Sequence, residues 1–146
     1  MQARATSVIA AGQWDIAREI GHIRTEAENR LRRRMRFETV QGFAFLLDLP
    51  RVTKLADGDG LLLEDGGIVR VVAEAEALIE ITAFDDHALT KIAWHLGNRH
   101  VPVQFLRHAL RIRADDPMEQ LVERLGGDMT PLSAAFDPEP GAFVHG

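Results

Sequence analysis

The chain has 146 residues, 46% of them apolar, and a formal charge of −5, enough to bury a core in one domain or two small ones and too apolar for a disordered chain. It contains no cysteine, which excludes disulfide scaffolds, iron–sulfur clusters, thiolate zinc sites and cysteine nucleophiles and leaves any transition-metal chemistry to histidine and carboxylate. The charge is uneven: residues 1–74 carry 11 basic and 11 acidic groups, residues 75–146 carry 6 and 11, and the split suggests two halves with different partners.

The opening stretch MQARATSVIAAGQW holds an apolar run of about five residues, short of a signal-peptide core, and nothing nears the ~20 apolar residues of a membrane span. A cytoplasmic chain without membrane contact is the expectation. EIGHI reads as a short strand. RLRRRMRFETV alternates, with Leu31, Arg33, Met35 and Phe37 on one face and Arg30, Arg32, Arg34 and Arg36 on the other, as in a half-buried strand with an arginine-lined outer face. QGFAFLLDLP supplies its hairpin partner, with Gly42 for the turn and Pro50 to stop the strand. Two more strands follow in ADGDGLLLEDGGIVRVVAEA, introduced by Asp57-Gly58 and Asp59-Gly60 and joined at Asp65-Gly66-Gly67. Short strands at this spacing point to a small all-β sandwich or barrel.

The second half changes rhythm. LIEITA is a strand, and DDHALTKIAWHLG is a helix with Asp85 or Asp86 as N-cap and an apolar stripe of Leu89, Ile92, Ala93 and Leu96; Gly97 is a natural residue to close it and Asn98 also tolerates the left-handed conformation, so the helix is expected to end just before Arg99. VPVQFLR and ALRIRA are strands turning near His108. DDPMEQLVERLGG is a second helix, capped by Asp115 or Asp116 and stopped at Gly126, and MTPLSAAF is a last strand. The order β-α-β-β-α-β is that of a ferredoxin-like domain. The expected fold is therefore α+β: an all-β domain over residues 1–74, a ferredoxin-like domain over 75–137, and a mobile tail over 138–146.

No Walker loop, GxSxG elbow, HExxH or paired-cysteine pattern is present, so catalysis has little to stand on. His95 and His100 are five positions apart, a poor fit to the spacing that lets two helical imidazoles share a metal. A lone His100 after a helix is ordinarily satisfied or solvent-facing. Two features favour ligation: Arg99 can dock on a carboxylate and fix the loop, and in a two-fold dimer His100 meets His100 of a second copy. Imidazole suits Ni, Cu, Zn and Co, and a site with few protein ligands binds reversibly, as delivery requires. His145, near the C-terminus, is a second candidate that can close over such an ion, although terminal histidines often do nothing. His22, His87 and His108 read as surface or packing residues. The arginine face is open to two readings: a solvated face that blocks edge aggregation, or a docking surface for an acidic protein. Nucleic acid fits poorly, because the whole is acidic and neither that face nor ALRIRA offers stacking aromatics.

From about Glu19 to His145 the chain resembles the UreE-type urease accessory proteins, the nickel metallochaperones. The resemblance is carried by RRRMRFETVQGFAFLLDLPRVTKLADGDGLLLEDG in the first half, by HLGNRHVPVQ, and by MEQLVERLGG followed by FDPEPGAF. It implies a two-domain homodimer, not an enzyme, that carries Ni2+ to the urease apoprotein and its GTPase accessory proteins, with a partner-binding N-terminal domain. It implies His100 as the ligand shared across the dimer interface, His145 as the residue that completes coordination, and no ligand role for His95. Zn2+ or Cu2+ can occupy such ligands in vitro. Two departures stand out: Asp115-Asp116 replaces the Asp-His of many relatives, and His145 stands where many carry a histidine-rich tail, which argues against extra ions or storage. The remaining alternatives are a non-metal interaction module and a histidine metallohydrolase, the latter lacking a general-base Glu beside His100.

Overall fold

The structure, a computed structural model, describes residues 2–141. Position 145 lies outside them. The described chain divides after Glu74 into two compact units.

In the first unit, strands β1 (Arg4–Ile9), β2 (Glu19–Thr25), β3 (Leu31–Glu38), β4 (Ala44–Lys54), β5 (Gly60–Leu63) and β6 (Ile68–Ala73) form one sheet in the order β2-β6-β5-β1-β4-β3. β1 pairs parallel with β4, and β2 parallel with β6, so the sheet is mixed. Its two edges meet: the amide of Val40, just past β3, donates to the carbonyl of His22 on β2 at 2.9 Å. The sheet thus curls around a core that includes Ile23, Phe45, Leu47, Leu61, Val69 and Val71. The Asp-Gly turns are tied from within, where the buried Asp59 carboxylate accepts the amides of Ala11 and Ala56.

Two local expectations are corrected here. Pro50 does not stop its strand, since β4 runs on to Lys54. Arg32 faces Thr53 whereas Arg34 faces Asp48, so β4 bulges around Pro50, where a residue without an amide donor disrupts no ladder bond. Arg30 does not share the outer arginine face. It precedes β3 at the end of a short 3-10 turn (Ala27–Asn29), is only 4% exposed, and donates Nε to the Thr25 carbonyl.

In the second unit, strands β7 (Ala75–Thr82), β8 (Gln104–Phe105), β9 (Leu110–Arg113) and β10 (Asp128–Ala135) form an antiparallel sheet in the order β10-β7-β9-β8, and helices α1 (Asp86–Asn98) and α2 (Asp116–Arg124) complete the β-α-β-β-α-β order of a ferredoxin-like domain. The period-2 pattern of the strands places Ile79, Ile81, Leu110 and Ile112 against Ile92, Leu96, Leu121 and Val122 of the helices. On the opposite face of the sheet, Glu80 pairs with Arg111 at 3.0 Å and Glu76 with Arg113 at 2.9 Å. Asp85 caps α1 by accepting the Ala88 amide, and Asp115 caps α2 by accepting that of Met118 while its own amide donates to Glu119. No helix of the described residues is long and apolar enough to cross a membrane.

Candidate metal centre

The two helices end with the same hydrogen-bond pattern but with different residues at its centre. At the end of α2, the Gly126 amide donates to the Glu123 carbonyl and the Gly127 amide to that of Val122, with Gly126 left-handed at φ +84°. At the end of α1, the His100 amide donates to Gly97 and the Val101 amide to Leu96, and the left-handed residue is His100 itself, at φ +57°. This is the Schellman closure, whose central slot is usually filled by glycine. His100 is the sole non-glycine residue with positive φ among the described residues.

The sequence points to Gly97 or Asn98 as that residue; the helix does end at Asn98, just before Arg99, but the left-handed residue is His100. Packing decides between the two. The residue after the left-handed one must contact the last apolar turn of the helix. With His100 in the slot, that residue is Val101, which joins Leu96 in the core; with Gly97 there, it would be the polar Asn98. Gly97 therefore sits inside the helix. His100 is lifted onto the exposed rim at the end of α1.

Its neighbours on the helix are arranged for contact. Trp94 lies directly opposite the buried stripe of α1 and is 64% exposed, on the same face as His87, Lys91 and Asn98. The ring of His95 meets Trp94 edge-on at 5.1 Å, so His95 is turned toward an aromatic. Arg99 docks on no carboxylate among the described residues. Its Nη1 donates to the His95 carbonyl at 3.1 Å, placing a cation at the negative end of the helix. Of the other histidines, His22 Nδ1 lies 3.2 Å from the Gln41 amide nitrogen and His108 Nδ1 lies 3.5 Å from Asp86. Among the described residues no three His, Asp or Glu side chains gather as a metal cage. An ion at His100 would draw its other ligands from a second copy, from water or from the C-terminal segment.

On the first unit, Arg34, Arg36 and Glu38 face outward from β3. Asp48, opposite Arg34, is shared by Arg4 and by Arg33, the latter at 3.9 Å, while Arg32 is half-buried and bonded to Asn29. The structure thus reduces the expected arginine face to Arg34 and Arg36, with Arg4 and Arg33 beside them. Trp94 as an exposed flank and the left-handed His100 were missed in the sequence. The spacing from Leu96 to Val101 is the signal that could have found the second.

A β unit joined to a ferredoxin-like unit matches a known two-domain class. Residues 5–74 match the family described as the UreE urease accessory protein N-terminal domain, and residues 76–146 match its C-terminal domain. The urease accessory protein UreE of Bradyrhizobium sp. (strain BTAi1 / ATCC BAA-1182) is 46% identical over 142 residues, 97% of this chain and 68% of that protein. The protein of the same name from Beijerinckia indica is 41% identical over 142 residues, covering 97% and 81%, and that from Rhodobacter capsulatus is 38% identical over 143 residues, covering 98% and 88%. The chain belongs to the UreE urease accessory protein family.

Proposed function

We propose that the chain is a urease-maturation chaperone that carries Ni2+ as its cargo, captured between two copies of His100 in a homodimer. The observation that carries this reading is the occupancy of the left-handed slot at the end of α1. A β-carbon there costs about 1–2 kcal/mol relative to glycine, and the sister helix avoids it with Gly126. Strain kept at an exposed imidazole supports a functional role for it. The outward Trp94 supports an isologous contact beside it, in which each copy supplies one imidazole.

In this mechanism two neutral imidazoles bind the ion, and water and His145 fill further positions. Protons compete for the same nitrogens, so capture weakens on acidification and loading releases protons. So open a ligand set lets the ion pass to urease apoprotein and its GTPase accessory proteins. The Arg34–Arg36 face of the first unit is the proposed docking surface for those partners, and the protein acts in the cytoplasm without turnover of its own.

The test is nickel titration by calorimetry alongside sedimentation, with the intact protein and His100→Ala compared. One ion per two chains, lost in the variant, is the expected result. One ion per chain, or full binding by the variant, would overturn the shared-ligand reading. Indifference to metal in both proteins would favour a non-metal interaction module.

A further inference from the structure

β3 ends the sheet of the first unit, with β4 its one neighbouring strand among the described residues. The meeting of the sheet's edges at Val40 and His22 lies past the end of β3. In an antiparallel pair the bonded positions alternate, and each residue between them turns its amide and carbonyl away from the partner strand. The Thr39 amide donates to the Phe43 carbonyl at 2.8 Å, which makes that a bonded position, and the unbroken register back to Asp48 repeats it at Phe37 and Met35. Arg34, Arg36 and Glu38 are the positions between. The far side of β4 agrees, since Leu46, opposite Arg36, gives its amide to the Ala3 carbonyl at 2.8 Å.

The same three residues point their side chains outward, because side chain and amide alternate together along a strand. The open edge therefore offers backbone donors and acceptors at the positions that carry Arg34 and Arg36, about 7 Å apart. Arg4 and Arg33 lie beside them, and Asp48 is already shared by those two. Among the described residues no carboxylate pairs with Arg34 or Arg36. On the other face Met35 and Phe37 are half-buried, and Phe37 packs on the core. A basic edge repels strands taken at random, but it attracts one whose charges are opposite.

We propose that the open edge of β3 receives an extended acidic segment of a partner protein as an added antiparallel strand. Carboxylates at every second position of that segment meet Arg34 and Arg36, and the apolar side chains between them cover Met35 and Phe37. The inference rests on the reading of the outward arginines as a docking surface, and it supplies the chemistry of the partner and its mode of attachment. Charge alone would hold an acidic surface of any shape. Backbone pairing demands a strand.

The test adds a short synthetic peptide of alternating glutamate and valine, blocked at both ends, to the full chain, with binding read by fluorescence anisotropy and amide exchange by NMR. The peptide should slow exchange at the Arg34 and Arg36 amides and leave those of Met35 and Phe37, already bonded to β4, unchanged. In an antiparallel strand the glutamates that face the arginines also supply the amides that bond β3. N-methylation of the glutamates should therefore weaken binding by about 3- to 10-fold for each bond lost, whereas N-methylation of the valines, whose amides point away, should leave it unchanged. Arg34→Ser with Arg36→Ser should weaken binding about 10-fold at low salt, and a peptide of alternating lysine and valine should not bind. Equal affinity of the two methylated peptides, or no protection at Arg34 and Arg36, would overturn strand addition; if the arginine variant still lost binding, the docking reading would stand without it. No binding of the acidic peptide at low salt would overturn the proposal outright, with recovery of the urease accessory complex left to judge the docking reading. Dissociation of a dimer in the arginine variant, seen by sedimentation, would give the edge to a second copy and overturn the proposal as well.

Discussion

Val101 and Leu96 are joined twice across the end of α1: the amide of one donates to the carbonyl of the other at 3.1 Å, and both side chains enter the same core. That double closure holds His100 left-handed. Glycine accepts this conformation without a steric penalty, so His100→Gly should raise stability by about 1 kcal/mol, read as a higher Tm, while nickel binding is lost. An unchanged or lower Tm would mean that the slot carries no strain.

Gly97 offers the complementary experiment. It lies within α1, and a β-carbon there would meet nothing within 4 Å. Gly97→Ala should therefore stabilise the protein by about 0.5–1 kcal/mol in denaturant unfolding. If the helix ended at Gly97 with that residue left-handed, the same change would destabilise.

At Gly127 the sign reverses. A β-carbon would come within 2.6 Å of Val122 Cγ1 and 3.0 Å of Ile92 Cδ1, both in the core of the second unit. Gly127→Ala should cost about 1–3 kcal/mol through overpacking. A neutral result would show that the helices separate more readily than their packing implies.

The arginines of the first unit should part into two groups. Arg34→Ser with Arg36→Ser should change stability by less than about 0.5 kcal/mol yet weaken recovery of the urease accessory complex, the more so at low salt. Arg30→Ser should lower Tm, because it removes a buried donor to Thr25, and should leave recovery intact wherever the protein is folded. Equal loss of recovery in both variants would detach the docking role from the outer face.

Trp94→Glu places a charge on the exposed face of α1, where no core packing is disturbed. Sedimentation should show dissociation toward monomer and calorimetry a matching loss of the shared nickel site. An intact dimer would move the contact to another surface.

Much of this was legible in the sequence because its signals are local. Asp85, Asp115 and Gly126 cap their helices as their types predict, and the period-2 runs around Ile79 and Ile112 face the core. What was hidden depends on distant partners. β1 was unread because ATSVI is short and pairs only with strands distant in sequence, parallel with β4 and antiparallel with β5, which no local pattern announces. Arg30 looked like one of an alternating series, and only the 3-10 turn before β3 shows that it points inward. The end of α1 before Arg99 was legible, but the left-handed residue that closes it was misplaced, because propensity favours Gly97 or Asn98 whereas the contact between Val101 and Leu96 decides. The tie of the segment after β10 to β8 and the residue before it was invisible for the same reason: nothing in FDPEP says that the Asp137 amide answers to the Gln104 side chain and the Glu139 amide to the Val103 carbonyl.

The hydrogen bonds of Asp137 and Glu139 also govern how the protein can be handled. Because the Glu139 amide is tied to the Val103 carbonyl, a C-terminal extension is leashed to the same unit as His100. A polyhistidine purification tag fused there would bring a cluster of imidazoles to the candidate nickel site and inflate both affinity and stoichiometry. A tag-free chain, or one cleaved before titration, is the preparation in which the count of ions per dimer reports on the protein itself.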